Sequence, residues 1–521
     1  MHPSKKSTPI DPSASVITDL ALSFGDETND ASTHAKNSVR WHRIEKELYL
    51  HTAGSTAWLH IAEASVNDLT TDDLVVTDIR VEDLVTSPGL ESPWESRPSG
   101  IWVLRNNYTG ECHDVVTSVD ILFGVDAVDP RPQWTLLQRP LQLRAMPDVP
   151  VARLSLRHGI VQSGPSGPRP ELQVNREGKF KISQISDTHM VTGVGVCRDA
   201  IDAQGHPLPP SEADPLTVGF IEGILDIEKP DLVVLTGDQV HHDIPDCQSA
   251  LFKVVAPLVK RAIPWAAVFG NHDDEGAYAL SRSEQMALLS SLPFSLCQPG
   301  PENVDGVGNY FLQVLSPSPS KAPVLTVFLL DSHGEIRSDV KDPDYDCIRP
   351  SQINWFVNTS QELKGAREKV QSQHDLHLAL VFMHIPLPEY AESDLIIRSG
   401  HRGEPTEGPS FNSHFYDALV EEDVTAVGCG HDHVNDFCGL KEDRQERSSS
   451  TPQLGPWLCY GGSSGFGGYS SYYGKRYHRR TRVWEFDASN GSIKTWKRVE
   501  YSGVRTDEIV LAEGGAVVAP P

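Results

Sequence analysis

From residue 176 onward the chain repeats one arrangement: a short apolar run that stops at a residue able to hold a metal. Lys181–Ser186 runs into Asp187-Thr188-His189, and Leu232–Thr236 runs into Gly237-Asp238. Trp265–Phe269 runs into Gly270-Asn271-His272-Asp273, Leu378–Met383 into His384, and Thr425–Gly428 into a loop carrying His431-Asp432-His433. The runs read as buried strands, and Val324–Leu330, which ends at Asp331-Ser332-His333, reads as another. Amphipathic helices lie between them. Pro215–Lys229 places Val218, Ile221 and Leu225 on one face, and Leu251–Ala262 carries a stripe of Leu251, Val254, Val255, Leu258 and Val259. Alternating strands and helices specify an α/β (α+β) core of mixed sheets with helical outer layers. In such folds the reactive groups collect in loops beyond the carboxyl ends of the strands.

A chain of 521 residues is long for one core, at roughly 100–200 residues per domain. Residues 1–38 are polar and aperiodic and read as a disordered leader. Residues 40–155 carry short β-favouring runs, such as Leu74–Ile79, Gly100–Leu104 and Ser118–Phe123, separated by turns; they read as a β-rich accessory domain. Residues 156–175, centred on GIVQSGPSGPRP, read as a linker, 176–505 as the chemistry-bearing domain, and 506–521 as a loose tail.

The formal net charge of -26 disfavours nucleic acid and anionic membranes as partners. No N-terminal apolar run and no stretch of about 20 apolar residues occurs, so the expectation is a soluble cytoplasmic protein with no membrane partner. Eight cysteines at wide spacing, with no C-x-x-C pair, do not resemble a disulfide framework. Two glycosylation sequons, at Asn107 and Asn358, read as chance matches without a secretory signal.

One Gly-Asp or one H-x-H alone is weak, because Asp after Gly is usually a turn residue and a lone His at a strand end is usually structural. The ordered set is stronger. Read as SDTH, TGDQ, GNHDDE, MHIP and GHDH, it resembles the signature of the calcineurin-like metallophosphoesterases over about 250 residues, from Asp187 to His433. Phosphate-ester hydrolysis needs a nucleophile at neutral pH and neutralisation of phosphoryl charge. Two metal ions about 3.5–4 Å apart supply both by acidifying a shared water and clamping phosphate oxygens. Mixed imidazole, carboxylate and amide ligands suit Mn, Fe or Zn rather than Ca.

The resemblance implies a β-sandwich of mixed sheets flanked by helices, and it implies roles. Asp187, His189, Asp238 and His433 hold one ion, and Asp238, Asn271, His384 and His431 hold the other, with Asp238 shared. His272 is not a ligand; it protonates the leaving oxygen, and Asp273 orients it. His241 and His333 are candidate substrate contacts; a solvated loop is the bland alternative at His241, and at His333 a substrate or second-layer role stands against a plain strand-end residue. Longer phrases, among them TGDQVHHDI, MHIPLPEY, GHDHVNDFCG and YGGSSGFGGY, resemble the fungal phosphatases named for dosage-dependent cell-cycle regulation. The implied activity is phosphomonoester hydrolysis, with phosphoprotein among the substrates. A phosphodiesterase on a small diester, or a catalytically weak scaffold, is the alternative. The basic stretch Lys475–Arg480 reads as an exposed charged face. Purple acid phosphatases place a metal-binding Tyr three residues after the shared Asp; here that position is His241. An iron-loaded, oxidised preparation is therefore expected to show no strong tyrosinate band in its visible spectrum, and such a band would mean that another Tyr ligates the metal.

Overall fold

The computed structural model of the chain describes residues 14–25, 39–82, 93–159, 169–317, 320–336, 344–369, 376–441 and 454–519. These fall into two units, Met1–Gly167 and Pro168–Pro521. The first is built on alternation. Ala57–Ser65 buries every second residue over its first half, with Ala57, Leu59 and Ile61 inward. It pairs antiparallel with Ser15–Phe24 on one side and Val39–Arg43 on the other. Two further three-stranded sheets complete the unit, one around Ile101–Asn107 and one around Ala152–His158. All three sheets feed one core, which includes Ile17, Leu59, Ile79, Val103, Ile121 and Leu154.

Ser15–Phe24 corrects the reading of residues 1–38 as an unstructured leader. Its Ile17, Leu20 and Leu22 are buried, but only against a partner some forty residues later, so local composition hides the strand. The rest of that leader lies outside the described residues, as does most of Gly159–Pro170. The described ends of the expected linker are structured: Ala152–His158 is a strand, and Leu172 and Val174 join the core of the second unit.

The second unit contains two seven-stranded sheets. In the first, Trp265–Val268, Leu232–Thr236 and Lys179–Ile185 run parallel. Arg480–Asp487, Ser492–Val499, Thr506–Glu513 and Ala516–Val517 follow as an antiparallel meander. In the second sheet, Pro323–Leu329, Leu378–Phe382, Ala426–Cys429 and Trp457–Tyr460 run parallel. Tyr310–Leu315 flanks them antiparallel at one edge, with Cys438–Lys441 and Leu395–Ser399 at the other. The period of two along Pro323–Leu329 shows how the layers stack. Leu325, Val327 and Leu329 meet Ile182, Val234 and Phe486 of the first sheet. Phe328 faces the other way, toward Phe356 of the helix Pro350–Glu368 and Phe415 of the helix Phe415–Glu421. The result is a sandwich of two mixed sheets with helices outside, as the sequence pattern implies.

Two other expectations change. The stretch 506–521 is no loose tail: Thr506–Glu513 is a sheet strand that buries Ile509, Leu511 and Ala512 in the main core. Its acidic residues and the Gly-Pro-rich ending mask a three-residue apolar face. Cys438 and Cys459 form a disulfide, because they stand directly opposite each other on adjacent antiparallel strands. That pairing exists only in the folded sheet. Among the described residues, no helix is long and apolar enough to cross a membrane.

Because Leu511 is fully buried, Leu511→Ala is expected to cost about 2–5 kcal/mol. Chemical denaturation would show it as a lower midpoint at unchanged slope; a change under about 0.5 kcal/mol, typical of an exposed site, would return this segment to a tail.

Candidate metal centre

The parallel strands of each sheet deliver their carboxyl-end loops to one place. Each loop turns sharply to aim its side chain: Asp187, His189, Asp238 and His431 have φ of 54°, 45°, 50° and 75°. Left-handed backbone at residues other than Gly is costly and persists where the surroundings enforce it. Here the loops enforce it on one another. Asp187 N donates to Gly237 O at 3.0 Å, His189 N to Asp238 O at 3.0 Å, and Gly430 N to His384 O at 3.1 Å. The closest approach is at Gly430, where a Cβ would lie 1.9 Å from Ser186 Oγ, and at Gly270 it would lie 2.1 Å from Asp238 Oδ1.

The sequence-predicted ligands converge in two overlapping groups. Asp187, His189, Asp238 and His433 are all buried and offer ligand atoms within 4.8 Å of one another. His189 Nε2 lies 3.1 Å from His433 Nε2 and 3.7 Å from Asp238 Oδ2. In the second group, Asn271 Oδ1 lies 3.1 Å from His384 Nε2 and 2.9 Å from His431 Nδ1, while His384 Nε2 is 3.4 Å from Asp238 Oδ2. Asp238 Oδ2 is thus common to both groups.

The chemistry of these atoms fits cations. His433 Nδ1 donates to Tyr469 O at 2.8 Å, and His384 Nδ1 donates to Thr236 O at 2.8 Å. At His433 the carbonyl fixes the tautomer and leaves a bare Nε2 lone pair turned inward; at His384 burial would lower the ring, but Asp238 and Asp187 outweigh it and push it up to about 9, so its Nε2 carries a proton that an incoming cation displaces. Asp187 Oδ2 is buried without a hydrogen-bond partner. Burial pushes His433 down to about 3 and drives His189 and His431 well below the ordinary imidazole range, so all three are neutral. Burial alone would raise Asp238, but the imidazoles of His384, His272 and His189 outweigh it and hold the carboxylate ionised. Burial pushes Asp187 up to about 7, a proton that an incoming cation displaces.

Around the ligands, some predicted roles move. His272 stands outside the buried group of Asp187, His189, Asp238 and His433: its N donates to Asp238 Oδ1 at 2.9 Å, and its Nε2 lies 4.0 Å from Asp238 Oδ2. Asp273 does not orient it. The Asp273 carboxylate accepts from the backbone N–H groups of Gly270 at 2.7 Å and of Asp238 and Val240 at 3.1 Å each, and is fully buried. A side chain pointing back under its own loop cannot also reach the neighbouring ring. Glu275 holds His272 instead, with Oε2 2.5 Å from Nδ1. His241 borders the site, its ring 5.8 Å from that of His189 and 4.0 Å from that of His242. His333 lines a cavity of about 430 Å³ beside Asn271, but its Nε2 is taken by Gln352 Oε1 at 2.8 Å, which ties it to the scaffold.

Several contributors escaped the sequence reading. Arg282 joins two loops, bonding Asp331 Oδ1 at 2.5 Å, Gly270 O at 2.8 Å and His333 O at 3.0 Å. Tyr469 stacks on His433 with centroids 4.0 Å apart, and Tyr345 packs edge-on against His431 at 4.6 Å. No local signal marks these three. Glu275 was visible as the third residue after His272 in GNHDDE. The basic stretch is not an exposed face throughout: Arg479 is buried, donating to Gly468 O and Tyr469 O, and Arg480 pairs with Asp436 at 2.6 Å. Together they anchor the glycine-rich loop behind His433.

The calcineurin-like phosphoesterase family matches residues 180–435, the span that contains every ligand position expected from the sequence. An Arabidopsis thaliana protein named probable inactive purple acid phosphatase 29 is 36% identical over 353 residues, 64% of this chain and 85% of that protein. The chain belongs to the calcineurin-like phosphoesterases. Phosphatase DCR2 of Saccharomyces cerevisiae is 37% identical over 406 residues, covering 74% of this family member and 65% of the yeast protein, so the chain spans just under two thirds of that relative. Among solved structures, a dimetal phosphatase from Danio rerio matches 64% of the chain and 98% of its own, at 14% identity and a TM-score of 0.40.

Removing the Asp273 carboxylate strands three buried N–H donors at roughly 1–3 kcal/mol each. Asp273→Ala is therefore expected to lower stability by several kcal/mol and to lose bound metal, because Asp238 and Gly270 are two of the donors. Calorimetry with elemental analysis checks it; normal metal content and melting would show that the loops hold without it.

Proposed function

We propose that this phosphoesterase hydrolyses phosphate monoesters at a two-metal centre, with His272 as proton donor. One observation carries the reading: the shared Asp238 oxygen is faced by ligands of both groups and, from the open side, by His272 Nε2. Asp187, His189, Asp238 and His433 hold one ion, and Asp238, Asn271, His384 and His431 hold the other. The donor set accepts Mn, Fe or Zn. Two such ions, when bound, supply a nucleophile at neutral pH and neutralise phosphoryl charge.

The chain's own residues do the rest. Burial would lower His272, but Asp238 and Glu275 outweigh it and push the ring up to about 9, so it holds its proton at neutral pH. The proton sits where a leaving oxygen departs. His241, kept neutral because burial and His242 push it down to about 4, borders the same face as an uncharged donor to phosphate oxygens. The charge of -26 opposes polymeric nucleic acid as substrate, and the likeness to a yeast phosphatase supports the monoester class, of which phosphoprotein is one member. The word inactive in the plant relative's name favours a second reading, a catalytically weak scaffold. Against it stand the complete ligand set and a charged His272, the group a scaffold has no need to keep.

Purified protein is expected to contain two transition-metal ions per chain and to turn over simple phosphomonoesters. His272→Ala should keep both ions and lose roughly 10²–10⁴-fold in turnover on substrates with poor leaving groups, and less on p-nitrophenyl phosphate, whose leaving group needs no proton. Loss of metal in this variant would make His272 a ligand; unchanged turnover on an alkyl phosphate would remove it as the acid. A wild-type chain that binds both ions but hydrolyses no phosphoester would leave the scaffold.

A further inference from the structure

We infer that Glu275 is the positioning residue of the proton donor, presenting His272 Nε2 to the metal centre by gripping Nδ1 from the other side. The inference rests on the functional reading above and goes beyond its residue set. The ring has one heteroatom contact on each side: Nδ1 to Glu275 Oε2 at 2.5 Å, and Nε2 toward Asp238 Oδ2 at 4.0 Å. An ionised carboxylate only accepts, so Nδ1 carries a hydrogen and the ring cannot flip without losing a charge-assisted bond. The other carboxylates near the ring are engaged elsewhere. Asp273 is committed to three backbone donors, and Asp274 accepts from Arg282 Nε at 3.1 Å. The residue three beyond the shared carboxylate is His241, which stacks with His242 and cannot accept a bond as a carboxylate does.

Position and exposure make Glu275 a dedicated device rather than a structural brace. It lies one turn after His272, with its N–H facing His272 O at 3.5 Å. Its side chain is 44% exposed, so it holds no buried framework together. Among the described residues its carboxylate bonds the imidazole of His272. Among the described residues the ring's other neighbours are the imidazoles of His242 and His189, with centroids 5.3 and 5.4 Å away, which limit tilt but do not hold Nε2 inward. Removing the carboxylate therefore frees rotation about the Cβ–Cγ bond, which puts Cδ2 where Nδ1 stood and Cε1 where Nε2 stood, so Nε2 is no longer held toward the centre.

The test uses the full-length, metal-loaded chain and the variants Glu275→Ala, Glu275→Gln and His272→Ala/Glu275→Ala. Glu275→Ala is expected to keep metal and melting temperature and to lose about 10–100-fold in turnover on an alkyl phosphate, with little change on p-nitrophenyl phosphate. Glu275→Gln, which keeps an acceptor oxygen but no charge, should fall between. A residue that acts only through His272 adds nothing once the ring is gone, so the double variant should match His272→Ala alone. An equal loss on both substrates, or additive losses in the double variant, would overturn the inference in favour of a structural role. An arm independent of turnover uses histidine-labelled protein. The downfield, slowly exchanging Nδ1–H resonance of His272 should be present in the wild type and absent in Glu275→Ala. Were the wild type inactive on every phosphoester, this resonance would still decide the contact, and its presence in both forms would refute it.

Discussion

Asp273 has no substrate and no metal, yet the site depends on it. Its two carboxylate oxygens take the N–H groups of Gly270, Asp238 and Val240, which belong to two different strand-end loops. One of those residues carries the shared ligand; another lies immediately before Asn271. A buried carboxylate satisfied by backbone donors is a rigid spacer, because both the bond lengths and the number of donors are fixed. Arg282 repeats the device one layer out, joining the Gly270 loop to the loop of Asp331 and His333. The ligands are held by a chain of loop-to-loop bonds rather than by the stiffness of any single loop.

That arrangement explains why the ligands tolerate unusual backbone. Asp187, His189, Asp238 and His431 sit in left-handed conformations that isolated loops would abandon. The glycines between them have no Cβ to obstruct the contact. At Gly237, with φ of 92°, a side chain would meet the His384 ring 2.4 Å away. Small residues at the strand ends and ligand residues one step later are a single design: the first permits the approach that the second exploits.

The strand ends were legible in the sequence because each couples an apolar run to a chemically distinctive stop, and the order of stops carries far more information than any one of them. The two sheets were legible as a class but not in detail. Ser15–Phe24 and Thr506–Glu513 find partners far along the chain or only within the finished sheet, and their polar neighbours dominate local composition. Cys438 and Cys459 are 21 residues apart, and nothing short of the strand register puts them face to face. The exchange of roles between Asp273 and Glu275 was missed for a subtler reason. Adjacency in sequence suggests contact, whereas the tight turn sends the first side chain under the loop and brings the residue one turn later against the ring.

The residues proposed as metal ligands come from both layers of the sandwich. Asp187, His189, Asp238 and Asn271 follow strands of one sheet, and His384, His431 and His433 follow strands of the other. A cation bound there spans the two layers, so its binding energy belongs to the folded state and not to the unfolded chain. By mass action the native population then rises with free metal as RT ln(1 + [L]/Kd), about 2.7 kcal/mol at a hundredfold excess over Kd. For a marginally stable protein this is a large share of the whole. A chain whose two layers share a cation in this way would lose, under metal scarcity, part of its resistance to unfolding as well as its cofactor.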